Sequence, residues 1–252
     1  MQQQMLMAGS LYSVDSADFD GTNDYMLRGA GLTGAADSKT GILSCWLRID
    51  GGDGIDMEIF DGLPAVGSVN PRFSFFKVVT SNVIAIIGQN AVASSILDLR
   101  SATAYTASAT WLHILASWNL ATAATYFYVN DVDDENTITA TDDTLDYTLA
   151  DWSVCSFGDG SSKFNGCLTE LYFAPGQFLD FSTVANRRKF IDAYGKPVYL
   201  GANGAAPTGT APLVYQRLFK SQAVAGFATN NATGGDFSIT GTLATGSTSP
   251  SD

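Results

Sequence analysis

The sequence has few of the residues on which metal sites, nucleic-acid surfaces and membrane spans depend. It contains one histidine and three cysteines in 252 residues, and the cysteines lack the spacing of a metal site. Thirteen lysines and arginines against 25 aspartates and glutamates give a formal net charge of −12, which disfavours binding to nucleic-acid phosphate or to an anionic membrane. No apolar run reaches the ~18 residues of a membrane span. We therefore expect neither a nucleic acid nor a membrane as partner.

The three cysteines are predicted to be free thiols. Cys45 lies within an apolar strand pattern, as a small core residue would. Cys155 and Cys167 flank a predicted hairpin, so a disulfide between them is the alternative. The odd number of cysteines and the lack of a secretory signal pattern favour the thiols.

Short segments of alternating apolar and polar residues are abundant. In GILSCWLRID (41–50), every second residue from Leu43 to Ile49 is apolar and would share one face of a strand, opposite Trp46. Such segments, separated by Gly, Pro, Asn or Ser, recur roughly every 10 to 15 residues, which is typical of a sandwich. The sequence therefore predicts an all-β fold of two antiparallel sheets.

One strand and one helix near residue 175 are predicted more specifically. Period-two alternation would place Leu168, Glu170 and Tyr172 on the same face of a strand that Pro and Gly then end. A helix is predicted over 182–194, with Ser182 as its N-cap and with a Gly and a Pro directly after it. This helix is the only one that the sequence predicts.

The chain is predicted to contain one domain between two extensions. Residues 1–16 are predicted to form an arm, and residues 17–220 a single sandwich domain. Residues 221–252 are rich in Gly, Thr, Ser and Asn, so we expect a low-complexity tail that is either poorly ordered or extended along a neighbouring molecule.

Several motifs occur in a fixed order along the domain. They are Phe-Asp-Gly-Thr-Asn-Asp-Tyr at 19–25, the strand 42–49 with its central Trp46, Trp111 and His113 of a Trp-x-His strand, Tyr126, Tyr128 and Val129 of a Tyr-x-Tyr-Val hairpin, and Phe164, Gly166, Leu168 and Glu170 of a Phe-x-Gly-x-Leu-x-Glu strand. In this order they resemble the laminin G-like, concanavalin A-like jelly roll. The resemblance implies a jelly-roll sandwich of two antiparallel sheets with one short helix.

A second resemblance concerns the residue composition of the C-terminal third of the chain. The segment 195–215 and the Gly-Thr-Ser tail look like forms of this jelly roll that tailed-phage genomes encode. The resemblance implies a homo-oligomeric structural or adhesion protein on the exterior of a virion, made in the bacterial host cytoplasm. Its partners would be copies of itself, other virion proteins and, as a further candidate, a host surface glycan.

No catalytic site is predicted. The segment 54–60 superficially resembles the Glu-x-Asp-x-Glu strand of laminarinase-type glycoside hydrolases, in which two carboxyl groups act together. Here Gly54 stands at the first acidic position, so we interpret Asp56 and Glu58 as solvent-facing strand residues. His113 has no serine in a nucleophile-elbow context and is interpreted as structural. We therefore predict that the protein is not an enzyme.

Four aromatic residues are candidates for a carbohydrate-binding platform. Trp46, Trp118, Tyr126 and Tyr128 could stack on the apolar faces of pyranose rings if they share a sheet face, with Asp or Asn side chains taking the hydroxyls. Most aromatic residues of a sandwich lie in its core, so a purely structural role for these four is the alternative.

The acidic stretch 131–151 contains weak calcium candidates. Asp131, Asp133 and Asp134 could supply carboxylate oxygens, of which Ca²⁺ needs six to eight in total from converging loops. The stretch lacks the Gly-kinked loop of a dedicated calcium motif, so a solvated acidic rim without a cofactor is favoured.

Three classes of function follow from these observations. The main prediction is the virion structural or adhesion protein (capsid decoration, head-fibre or tail-associated), because the arm and tail suit contacts between subunits. The alternative is a stand-alone, lectin-like carbohydrate-binding module. A glycoside hydrolase is third, since the paired carboxylates it requires are absent from the motif.

Overall fold

Two antiparallel eight-stranded sheets make up the molecule. A computed structural model describes residues 12–252, so most of the predicted arm lies outside the described residues. The order in the first sheet is Val132–Asp133 (β10), Ala124–Val129 (β9), Leu112–Asn119 (β8), Thr40–Ile49 (β3), Asn165–Pro175 (β13), Ala17–Asp20 (β1) and Ala244–Thr245 (β16), with Val214–Gln216 (β14) also on β13. The order in the second is Glu135–Ala140 (β11), Ser95–Ala104 (β7), Val83–Gln89 (β6), Arg72–Lys77 (β5), Met57–Leu63 (β4), Asp151–Val154 (β12), Tyr25–Arg28 (β2) and Ser238–Thr240 (β15). The predicted all-β sandwich is confirmed.

The main core lies between the two sheets. The residues that alternate along β3 behave as predicted, since Leu43, Cys45 and Leu47 are fully buried in that core. At its centre, aromatic rings from both sheets pack together, including Phe73, which lies 5.7 Å from Trp118 between ring centroids. A smaller apolar cluster covers the outer face of the first sheet, where residues 172–215 fold back over it.

The predicted helix is much shorter than 182–194. The α-helix α1 spans Val184–Arg187, with Thr183 rather than Ser182 at its N-cap. Asp192 explains why the helix does not continue, because its carboxylate accepts the backbone N–H groups of Tyr194 and Lys196, at 2.8 and 2.9 Å, and so closes a turn. The longest α-helix among residues 12–252 thus has four residues, too short to cross a membrane.

A β-bulge interrupts the alternation predicted for β13. The register with β3 shifts between Thr169 and Tyr172, and Glu170 has a φ of +54°. As a result Leu168 packs in the main core, whereas Tyr172 packs in the cluster on the outer face. The bulge therefore reverses which residues of this strand face outward.

Both ends of the described chain pack against the sandwich. Val14 is fully buried and bridges to Phe219. In 221–252, β15 pairs with β2 and β16 pairs with β1, while Phe227 and Leu243 belong to the main core. The structure thus places residues of the predicted tail against the sandwich of their own chain.

All three cysteines are free, as predicted, and all three are buried. Cys45 and Cys155 lie in the core between the sheets. Cys167 faces outward from β13, beneath residues near the end of the chain: a Cβ at Gly246 would lie 2.9 Å from its Sγ.

Candidate functional site

Three neighbouring cavities surround the segment 105–111, where it leads into β8. The first, of about 310 Å³, is lined by Trp46, Trp111, Asn130, Gly195, Lys196, Ser249, Pro250 and Asp252. The second, of about 530 Å³, is lined by Arg48, Asp50, Ala107, Ser108, Ala109, Ser247 and Thr248. The third, of about 380 Å³, is lined by Ile49, Ala104, Tyr105, Thr106, Ser108, Thr110, Leu112 and Asn130. Trp111 lines the first cavity and donates a hydrogen bond to Thr248, which lines the second, and we call these two cavities together the Trp111 groove.

The floor of the first cavity is a buried aromatic pair on the outer face of the first sheet. Trp46 stacks on His113 of the neighbouring strand, with 4.6 Å between ring centroids and 29° between planes. Ser44 Oγ lies 2.9 Å from His113 Nε2. Burial lowers the pKa of His113 to about 3, so the imidazole is neutral at physiological pH. His113 is a structural residue of the floor, as its strand context predicts.

Asn130 fixes the backbone that carries Trp111. It begins the tight turn between β9 and β10, in which Asn130 and Asp131 have φ angles of +50° and +67°. Its side-chain Oδ1 accepts the His113 backbone N–H at 2.7 Å, and its Nδ2 donates to the Trp111 carbonyl at 3.2 Å. The amide therefore holds the start of β8, and with it the half-buried Trp111 ring.

Arg48 and Trp111 each donate an N–H hydrogen bond to Thr248, which lines the second cavity. Arg48 makes a bidentate ion pair with Asp50, with Nε–Oδ1 at 2.6 Å and Nη2–Oδ2 at 2.7 Å. Its remaining Nη1 donates to Thr248 Oγ1 at 2.6 Å, and Trp111 Nε1 donates to the same oxygen at 3.2 Å. Two N–H donors thus converge on one hydroxyl oxygen beside an aromatic ring.

The rim of the groove carries an exposed aromatic residue. Tyr194 is 80% exposed and directly precedes Gly195 and Lys196, which line the first cavity. Lys196 Nζ donates to the carbonyl oxygen of Asp252 across the cavity. The groove therefore combines aromatic surface with hydrogen-bonding groups, which is the composition of a site for a polyhydroxylated ligand.

Clusters of candidate metal ligands are rare among residues 12–252. The one group of three with ligand atoms within 4.8 Å of one another is Asp18, Asp50 and Cys167. Arg48 already pairs with Asp50 and donates to Cys167 Sγ at 3.4 Å, so a cation is present there in the form of the guanidinium. Burial raises the pKa of the Cys167 thiol to about 12, which further disfavours a thiolate ligand.

The predicted calcium candidates do not converge. Asp131 binds Arg187 at 2.6 Å and Arg188 at 2.7 Å. Asp134 is buried and accepts hydrogen bonds from other residues, including Tyr105 OH at 2.7 Å, while Asp133 Oδ1 accepts a nearby backbone N–H. These carboxylates are engaged in separate contacts, so the geometry does not form a calcium cage.

The four aromatic residues predicted as a platform are divided between two faces of the first sheet. Trp118 is fully buried between the sheets, where its Nε1 donates to Tyr147 OH at 3.0 Å, so its assignment to a carbohydrate surface is wrong. Gly41 admits the ring, because a Cβ there would lie 2.2 Å from it. Tyr126 and Tyr128 lie on the outer face, where Arg187 covers the Tyr128 ring at 4.5 Å.

The acidic residues of 54–60 also differ from their prediction. Asp56 is exposed, but Glu58 is only 5% exposed, and its backbone N–H donates to the Ser162 carbonyl oxygen at 2.8 Å, so the segment that contains Ser162 pairs beside β4. Ser74 donates to Glu58 Oε2 at 2.6 Å. Glu58 is therefore not a solvent-facing residue.

Glu58 belongs to a buried acidic group on the outer face of the second sheet. A register shift between Glu58 and Phe60 places Glu58 and Asp61 on the same face, and Asp61 is fully buried. Asp151, on the adjacent β12, is 4% exposed. Burial, together with the neighbouring carboxyl groups, raises the pKa of Glu58 and Asp61, and burial alone raises that of Asp151.

Comparison with known proteins identifies the fold. No model of a known protein family matches the sequence, and no curated protein sequence matches it. The structure is similar to a candidate carbohydrate-binding protein from Bacteroides ovatus, with a TM-score of 0.61 and 13% identity over 94% of this chain and 61% of the other. It is also similar to a heptameric SAP-like pentraxin from Limulus polyphemus, with a TM-score of 0.54 and 10% identity over 92% and 94%. This chain spans less than two thirds of the Bacteroides protein. The predicted concanavalin A-like jelly roll is thereby confirmed.

Two aromatic residues at or beside the groove, Trp111 and Tyr194, are not among the four that the sequence predicts for a platform. Trp111 belongs to the Trp-x-His strand motif, and Tyr194 falls within the predicted helix 182–194. One local signal was available: Asp192 precedes Tyr194 by two residues, the spacing of an Asx turn that projects the following side chain outward.

Proposed function

We propose that this domain binds carbohydrate in the Trp111 groove. The observation that carries the proposal is the convergence of Arg48 Nη1 and Trp111 Nε1 on one hydroxyl oxygen, beside a half-buried indole ring. Sugars present hydroxyl oxygens next to apolar C–H faces, and this arrangement matches both features.

The likeness to the Bacteroides protein, itself described as a candidate carbohydrate-binding protein, supports this function. The location of the groove agrees with it, because the groove lies at the end of the sandwich where loops and the last residues of the chain meet. Binding sites are often placed on loops held by a rigid scaffold.

The test is a glycan array followed by calorimetric titration of the oligosaccharides that bind. We expect Trp111→Ala to weaken binding at least tenfold, since loss of one stacking ring at the centre of a site costs about 1.4 kcal/mol or more. Tyr199→Ala is the matched control, because Tyr199 is also an exposed aromatic residue, at 44%, but lies outside the groove. Equal affinities for the wild type and Trp111→Ala would disprove this site.

Location on the exterior of a tailed-phage virion and self-association remain predictions from the sequence. Both were predicted mainly because residues 221–252 were expected to lie across a neighbouring molecule. In the structure, β15 and β16 pair with strands of their own chain. A carbohydrate-binding domain on a particle surface would be consistent with both proposals. Light scattering of the full-length chain would decide the oligomeric state.

Absence of enzymatic activity also remains a prediction. The carboxyl groups of Glu58 and Asp61 are buried, and so is His113, which stacks on Trp46. Hydrolysis of any array glycan, abolished by Glu58→Gln, would contradict it.

A further inference from the structure

The last six residues of the chain cross the Trp111 groove. Ser247 and Thr248 line the second cavity, while Ser249, Pro250 and Asp252 line the first. We call 247–252 the strap. The strap thus contributes residues to both cavities of the groove.

Thr248 occupies the position that a ligand hydroxyl would take. Its Oγ1 receives hydrogen bonds from Arg48 and Trp111, at 2.6 and 3.2 Å. Its carbonyl oxygen accepts from Ser16 Oγ at 2.9 Å, which is a contact of the backbone and does not involve the hydroxyl. The hydroxyl of Thr248 is therefore the part of the strap that engages the two donors of the groove.

The strap is held mainly by polar contacts. Its sequence, Ser-Thr-Ser-Pro-Ser-Asp, contains no large apolar side chain, although Ser249 and Pro250 are buried. Ser251 Oγ accepts the Val14 backbone N–H at 3.0 Å, and Lys196 Nζ donates to the backbone oxygen of Asp252. Asp252 also pairs with Lys220 at 3.2 Å, in a contact where both side chains are about half exposed. Exposed ion pairs contribute little, and segments with few buried apolar contacts open at a small fraction of the global unfolding free energy.

The charge of the subsite indicates which ligands it accepts. Arg48 is already neutralised by its bidentate pair with Asp50, so the two donors offered to a ligand add no net positive charge. The strap's own anchor on the other side, Lys220, is likewise paired with Asp15 and Asp252. A neutral sugar hydroxyl suits this environment better than a carboxylate or sulfate group does.

We propose that the strap is an intramolecular occupant of the carbohydrate site, and that a hydroxyl of a neutral sugar replaces Thr248 Oγ1 between Arg48 and Trp111 when the strap is released. This inference rests on the proposed carbohydrate-binding function. Since binding requires the released state, the observed dissociation constant equals the intrinsic constant divided by the released fraction. Weakening the strap therefore tightens binding.

The experiment compares full-length wild type with Thr248→Val, which keeps the shape of the side chain but removes the hydroxyl. Thr248→Ser is the matched control, because it keeps the hydroxyl. Each is titrated calorimetrically with gluco-, xylo- and manno-oligosaccharides, and with sialyllactose as an acidic comparator. We expect roughly tenfold tighter binding of a neutral oligosaccharide by Thr248→Val, corresponding to the loss of a charge-assisted hydrogen bond from the strap, and no more than about twofold change for Thr248→Ser.

A second measurement does not depend on any ligand. Hydrogen exchange should be faster at the Gly246 and Ser249 amides than in β13, and Thr248→Val should accelerate exchange at these two amides while leaving β13 unchanged. Equally slow exchange in the strap and in β13 would overturn the proposal.

The titrations separate the two proposals. If wild type and Thr248→Val bind equally well and Trp111→Ala abolishes binding, the strap proposal is overturned and the carbohydrate site stands. If no variant binds any oligosaccharide, both are overturned. Preference for sialyllactose over all neutral oligosaccharides would overturn the ligand class.

Discussion

Two groups of charged residues, one on the outer face of each sheet, handle buried charge in opposite ways. On the first, around the groove, Arg48 pairs with Asp50, and Arg187 pairs with Asp131, each at 2.6 Å. On the second, the buried carboxyl group of Asp61 makes no ion pair within 4 Å to any residue of 12–252. The group around the groove keeps its charges by pairing them, whereas burial suppresses the charge of Glu58 and Asp61.

The difference shows how pairing and burial set what each face can do. Paired charges next to open cavities remain hydrated and can exchange hydrogen bonds with a ligand. The buried carboxyl groups of Glu58 and Asp61 are stabilised as neutral acids, because the charged form loses its hydration and the positive charge of Arg72 does not offset that loss. We therefore expect ligand binding on the first face and a pH-dependent stability from the second.

The largest expected effect comes from removing the acids of the second face with Glu58→Gln and Asp61→Asn together. Because burial raises both pKa values above those of the unfolded chain, their stabilisation is complete below the unfolded pKa values near 4 and is lost as pH rises through the raised ones. Between pH 5 and pH 8.5 the wild type should therefore lose several kcal/mol more unfolding free energy than the double variant, which keeps the contribution of Glu170. Urea unfolding across this range measures the difference.

Asp98→Asn is the control for that experiment. Asp98 is also nearly buried in the second sheet, but Arg100 binds it at 2.7 Å. Its replacement should lower stability at pH 8, since it leaves the guanidinium without its partner. Parallel pH profiles for the wild type and the double variant would contradict the assignment of unpaired acids to this face.

Glu170 is the exception on the first face, and Glu170→Ala should have the next largest effect. Tyr12 and Tyr215 donate to its two carboxylate oxygens at 2.7 and 2.9 Å, and burial raises its pKa to about 7. The substitution leaves hydroxyl groups in a buried site without this acceptor, so we expect a loss of about 2–3 kcal/mol at pH 5. The loss should narrow above pH 7, because the wild type itself is destabilised as Glu170 ionises.

Tyr215→Phe is the control for Glu170→Ala. It removes one donor and leaves the other, so a loss of about 1 kcal/mol is expected. A loss for Glu170→Ala that stays constant from pH 5 to pH 8.5 would show that the Glu170 carboxyl group is already ionised across that range. Chemical unfolding followed by tryptophan fluorescence is sufficient for both variants.

Much of the fold could be predicted from local patterns, but the bulges could not. The alternation in 41–50 corresponds to β3, Thr40–Ile49, because a regular strand repeats its facing every two residues. At Glu170 and at Glu58 the register shifts relative to the partner strand, which depends on pairing between distant segments. Because local patterns do not show register shifts, the sequence wrongly predicts that Glu58 faces solvent.

The candidate site could be predicted only in its general chemistry. Of the four aromatic residues proposed for one sheet face, Trp118 faces the core, and Trp111, which is not among the four, lies in the groove. Both occur on or beside β8, and composition alone cannot tell which ring faces outward. The strap could not be predicted for another reason: Thr248 contacts Arg48 although 200 positions separate the two residues in the sequence.

Arg187→Met tests whether a partly buried pair on the first face contributes to stability. Arg187 binds Asp131, donates to the Phe181 carbonyl at 2.6 Å, and lies over the Tyr128 ring, with its side chain 11% exposed. We expect a loss of about 1–2 kcal/mol with little dependence on salt, since the contact is shielded from counterions. Lys189→Met, on the same segment, should change stability by less than about 0.5 kcal/mol.

The smallest effect is expected for Lys220→Met. Lys220 pairs with Asp15 at 3.1 Å and with Asp252 at 3.2 Å, but its side chain is 51% exposed. Exposed pairs contribute about 0–1 kcal/mol and are screened by salt, so we expect a loss below about 0.5 kcal/mol in 50 mM salt that disappears in 0.5 M salt. Unfolding at the two salt concentrations, with Arg187→Met measured alongside, shows whether depth of burial is what distinguishes the pairs of this face. A salt-independent loss above about 1 kcal/mol for Lys220→Met would show instead that this exposed anchor holds the strap as firmly as a buried pair.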